Sequence, residues 1–101
     1  MKKIEEILFC GINSKYLLER VPVILNANSY GKILDIEKNC DDVIIYVEIN
    51  DRINKQEIQV QGFSSRMTDE IPLDWEYFGR IGRTFFYHSP IFVIKEIERL
   101  S

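Results

Sequence analysis

The chain has 101 residues, 46% hydrophobic and 12% aromatic, with a formal charge of −3 and a pI near 5.1. That is the length and apolar content of one folded domain, expected to span 1–101, and it excludes a disordered chain. The acidic balance argues against broad, nonspecific nucleic-acid binding, and no apolar run approaches the ~18–20 residues that cross a bilayer.

The opening MKKIEEILFCG starts like a signal peptide, but Glu5 and Glu6 interrupt its apolar stretch and no small-residue cleavage site follows. A cytoplasmic protein is therefore expected. Residues 2–9 fit two templates: Ile4, Ile7 and Leu8 share a helical face, and an edge strand fits the same length. Ser14 is a candidate cap for a short helix holding Tyr16, Leu17 and Leu18, which must stop by Arg20 because the residue before Pro22 disfavours helix.

From Val21 the apolar period becomes two. VPVIL (21–25) reads as a strand and NANSYG (26–31) as a turn. KILDIEK places Leu34 and Ile36 on one face. After a short join, VIIYVEI places Val43, Ile45, Val47 and Ile49 on one face with Tyr46 and Glu48 opposite. NDRINK (50–55) reads as a polar loop. QEIQVQGF then alternates, with Ile58 and Val60 inward and Glu57, Gln59 and Gln61 outward. Residues 64–74 lack a period and read as the longest loop. The C-terminal PIFVIKEIERL begins as a strand and fits either strand or helix at its end.

The sum is a mainly β fold, with α+β as the alternative. It amounts to a small antiparallel sheet, sandwich or barrel of about five or six strands with one short N-terminal helix.

The densest stretch is WEYFGRIGRTFFYHSP (75–90), with six aromatic rings, two arginines, two glycines and the only histidine. A phosphate loop needs glycines that open a helix, and no helical pattern follows Gly79 or Gly82, so these read as a turn or bulge. If they mark a hairpin tip, Arg80 and Arg83 project from it toward a carboxylate or phosphate, with Arg66 of the preceding loop able to join them. Arginine among exposed rings is also nucleotide-binding chemistry, because rings stack on bases. The candidate ligand site is accordingly Arg66, Arg80, Arg83, Trp75, Tyr77, Tyr87 and His88, set against the plainer reading of a core hairpin.

Catalysis is not indicated. His88 precedes Ser89-Pro90 and reads as a strand-end histidine with a structural hydrogen bond, and the acid pairs Asp41-Asp42 and Asp69-Glu70 lie in turns. Cys10 and Cys40 have no metal-ligand spacing around them and are expected as free thiols. Neither cofactor nor metal is expected.

Charge is uneven. Residues 33–60 hold seven acids against three basic groups, while residues 1–32 hold five basic groups against three acids. Asp35, Glu37, Asp41, Asp42 and Glu48 form a candidate acidic surface for a basic protein partner.

In chain order, Gly31-Lys32-Ile33-Leu34, Gly62, Tyr77-Phe78-Gly79 and Tyr87-His88 resemble a family of small phage and prophage proteins of unknown function, over residues 21–95. The chain departs from that pattern at Gly62-Phe63-Ser64-Ser65 and at His88-Ser89-Pro90. The resemblance implies a compact β-rich fold and a mobile-element origin, and it supplies no activity. The resulting expectation is a non-enzymatic bacterial or phage protein that occupies a partner's surface, such as an inhibitor of a host defence system. The alternatives are a small-ligand or nucleotide binder using the arginine–aromatic hairpin, and a homo-oligomeric structural or virion subunit.

Overall fold

The computed structural model describes residues 2–26, 31–49, 55–67 and 69–94. Eight strands are described: β1 (Lys3–Gly11), β2 (Val21–Asn26), β3 (Gly31–Asn39), β4 (Asp42–Ile49), β5 (Lys55–Ser64), β6 (Glu76–Ile81), β7 (Thr84–His88) and β8 (Phe92–Ile94). They form two antiparallel sheets. The first has the order β1-β4-β3, and the second runs β2-β5-β7-β6 with β8 also paired to β5.

Period-two alternation creates the core. On β4, Val43, Ile45, Val47 and Ile49 are buried while Ile44, Tyr46 and Glu48 face outward. β5 matches it from the second sheet with buried Ile58 and Val60, and Leu25, Phe78 and Phe86 complete the interior. Each such fully buried side chain contributes about 1.5–3 kcal/mol relative to exposure.

The two sheets meet closely along both sides. A bulge after Leu8 leaves Phe9 directed at Phe86, edge to face with ring centres 6.0 Å apart. On the other side β6 runs so near β3 that a Cβ on Gly79 would lie 2.6 Å from the Ile36 side chain. A residue with any side chain cannot occupy that position without displacing the Ile36 side chain.

Residues 2–9 resolve as an edge strand. The short helix is a single 3-10 turn, Lys15–Leu18, capped by the Ser14 hydroxyl accepting from the Tyr16 N–H. One expected face is corrected. β3 buries Ile33 and Ile36, because a bulge between Ile33 and Asp35 throws Leu34 outward. Strict alternation from Leu34 to Ile36 therefore fails. The Asp35 carboxylate stabilises the bulge by accepting the Ile36 N–H at 2.7 Å.

Among the described residues, the two-residue tips of β3-β4 and β6-β7 have positive φ at their first central residue: Cys40 at 57° and Gly82 at 60°. The expected turn and loop at 27–30 and 50–54, and the ambiguous end at 95–101, lie outside the described residues. Among the described residues no helix is long and apolar enough to cross a membrane.

Candidate functional site

The hairpin β6-β7 splits its rings between two faces. Phe78 and Phe86 turn inward, while the paired Tyr77 and Tyr87, and the paired Arg80 and Phe85, turn outward. Phe63 of β5 lies opposite Phe85 and joins the outward set. The result is a continuous ladder across the outer face of the second sheet. The Arg20 guanidinium sits 4.9 Å from the centre of Trp75, and Trp75 meets Phe63 edge to face at 6.4 Å. Phe63 meets Tyr87 at 5.7 Å and Tyr87 meets Tyr77 at 5.6 Å. Tyr77 meets Phe85 at 6.2 Å, and Arg80 covers Phe85 at 5.8 Å. Phe63 is buried beneath its neighbours and Tyr77 is 52% exposed. Arginine over a ring face is attractive because the cation meets the negative side of the ring quadrupole.

The arginines take different places. Arg80 is a strand residue; the tip proper is Gly82-Arg83, and the positive φ of Gly82 explains that glycine. Ser65 donates its N–H to the Arg83 carbonyl at 3.3 Å, which holds the turn carrying Arg66 against that tip. Arg66, Arg80 and Arg83 are all exposed at this end of the sheet.

His88 does not join them. It faces inward, 9% exposed, and its Nδ1 contacts the Ser89 carbonyl at 2.7 Å. Its Nε2 lies 3.8 Å from the Glu76 carboxylate. Both residues line a cleft of about 480 Å³ between β3 and β6, with Lys32, Tyr77, Phe78 and Ile91 also at its walls. Ser89, the hydroxyl next to this histidine, is committed elsewhere. Its Oγ accepts the Gln59 N–H and donates to the Pro90 carbonyl, each at 2.9 Å. This hydroxyl replaces the ladder acceptor where the partner of β5 changes from β7 to β8. It is a structural bridge, with no free proton to give His88.

The acidic residues gather on the first sheet. The outward register places Glu6 and Asp35 beside Tyr46, Glu37 beside Ile44, and Glu48 between Ile4 and Lys32. Ile4 is 67% and Leu8 65% exposed on the same face. Tyr46 donates its hydroxyl to Glu37, and that bond pushes the phenol up to about 12. Lys2 pairs with Glu48 at 3.7 Å, an exposed contact worth little in water. Asp41 and Asp42 lie exposed at the β3-β4 tip. Asp35 is divided, since one carboxylate oxygen holds its own bulge.

Cys10 and Cys40 are free thiols; burial pushes the Cys10 thiol up, away from nucleophilic reactivity. Among the described residues no group of three His, Cys, Asp or Glu side chains could hold a metal ion.

Sequence reasoning missed Arg20, Phe63 and Phe85 in the ladder, and Ile4, Glu6 and Leu8 on the acidic face. Phe85 is two positions from Tyr87, so strand parity could have found it. Glu6 and the two apolar residues depended on reading 2–9 as a strand. Nothing local signals that Arg20 reaches Trp75.

No protein-family model matches the chain, and neither a curated protein nor a solved structure is significantly similar to it.

Proposed function

We propose that this is a non-enzymatic binding protein that engages a basic partner protein through the outer face of β1-β4-β3. The observation that carries this reading is the mixture on that face: Glu6, Glu37 and Glu48 stand among the exposed apolar side chains of Ile4 and Leu8. Single exposed aliphatic residues are ordinary on any protein surface; here two share one strand face with the acids. Bare aliphatic residues within a charged surround supply the apolar contact and the polar margin that protein interfaces combine. The acids speed encounter with a positively charged partner and fix its orientation, while the apolar residues supply contact area.

The phage and prophage resemblance gives this proposal its setting: a small protein that blocks a bacterial host component by covering its surface. Partner capture tests it. Glu37→Lys with Glu48→Lys should abolish binding without unfolding the chain, since Glu37 is exposed and Glu48 pairs with an exposed lysine. Leu8→Ser should weaken binding and leave its salt dependence intact. Retained binding in the double variant would move the interface elsewhere.

A further inference from the structure

The ring ladder on the opposite sheet serves no purpose in that reading, and its composition is specific. We infer that the outer face of β6-β7-β5 is a second binding surface, which takes single-stranded nucleic acid by stacking bases on Tyr77, Tyr87 and Trp75 between the Arg20 and Arg80 guanidiniums.

Core packing alone does not account for this face. Tyr77 lies in the middle of the ladder yet is 52% exposed, and its ring is held by Tyr87 on one side and Phe85 on the other. A half-exposed ring locked between two others is a preorganised platform, because little side-chain entropy remains to be lost on stacking. The cations stand at both ends of the ladder, with Arg66 and Arg83 beyond Arg80 at the hairpin tip. Bases carry π-faces and phosphates carry charge, so rings interleaved with guanidiniums match an unpaired strand in both respects. A duplex hides its base faces in the stack and offers this surface only phosphates.

The overall acidity does not oppose the assignment, because charge is unevenly distributed. The acids on either side of Trp75, Asp74 and Glu76, line the cleft at His88, and Tyr77 borders that cleft from the ring side. Glu57 shares the outer face of β5 but lies toward its β2 end, where Gln59 donates to it at 3.3 Å. Glu19 next to Arg20 and the Asp69-Glu70 pair between β5 and β6 are exposed acids outside the first sheet, and the larger acidic cluster projects from β3 and β4.

Trp75 is the only tryptophan, so its own fluorescence reports on the site. The experiment titrates the full chain at low salt with an oligothymidylate of about a dozen nucleotides, which is within the range one such face covers. Tryptophan quenching and anisotropy of a labelled strand are read together. Saturable quenching is expected, with Tyr77→Ala weakening binding about ten-fold or more. Arg80→Ala should weaken binding and flatten the log–log salt dependence by about 0.7. Arg80→Ala should melt like the parent, since its side chain is exposed; Tyr77→Ala loses two ring contacts and should melt lower, so binding is read well below its midpoint. Failure of the single strand to bind, equal binding of a duplex, or affinity unchanged in both variants would overturn the assignment. Self-association lost in the same variants, with no oligonucleotide bound, would also overturn it and give the face to a second copy of the chain.

Discussion

Ser89→Ala tests the most particular feature of the fold, the side chain that stands in for backbone at the break between β7 and β8. Ser89 is buried, and its Oγ is the acceptor for the Gln59 N–H at 2.9 Å while its own N–H donates to the Gln59 carbonyl at 2.9 Å. Alanine keeps the second bond and removes the first. An interior N–H left without an acceptor costs about 1–3 kcal/mol. The Pro90 carbonyl also loses its donor, but Pro90 is exposed and water replaces that bond at little cost. The expected loss is about 2 kcal/mol, a large share of the ~5–15 kcal/mol that stabilises an ordinary domain. Urea unfolding should show the midpoint falling by about 1 M or more with unchanged slope. Amide exchange supplies the local reading: Gln59 should lose protection more than the rest of β5. A variant within ~0.5 kcal/mol of the parent, with Gln59 as protected as before, would refute the reasoning.

Other substitutions probe separate links. Gly62→Ala should destabilise by about 1–3 kcal/mol in thermal melting, because the new Cβ would collide with the Leu17 carbonyl and lie 2.5 Å from the Thr84 methyl. Cys40→Gly should stabilise by about 0.5–1 kcal/mol in the same assay, since the residue at φ 57° occupies the region that Gly82 fills at the equivalent tip. Tyr46 should titrate near 12, read as tyrosinate absorbance lost in Tyr46→Phe, and Glu37→Gln should return it toward the usual value of 10.0. Because the native state raises this phenol, its contribution to stability is complete below pH 10 and is lost as pH rises toward 12. Arg80→Ala with Arg83→Ala should leave unfolding within ~0.5 kcal/mol of the parent, as both side chains lie on the surface.

Much of this architecture was legible in the sequence because strands announce themselves by parity. Val43 to Ile49 alternates without a fault, and β5 repeats the pattern with Ile58 and Val60 inside. The errors fall where parity breaks. The bulge at Leu34 depends on a carboxylate bonding the next N–H, which no periodicity encodes. β1 carries apolar residues on both faces, Ile4 and Leu8 outward and Ile7 and Phe9 inward, so neither template could claim it. The arginine–aromatic site was half legible: Trp75, Tyr77, Tyr87 and Arg80 do share a face, but the same parity turns His88 inward, and Arg20 comes from a distant turn. The acidic surface needed the sheet order, since Glu6 and Glu37 become neighbours only through β4.

The central claim, that the β1-β4-β3 face binds a basic protein, is tested most directly by affinity capture from bacterial lysate at low and high salt. The parent chain is compared with Glu37→Lys/Glu48→Lys. The expected result is a basic protein held at low salt by the parent, released at high salt, and absent from the variant. Capture of the same protein by both chains, or of none by the parent, would contradict the account.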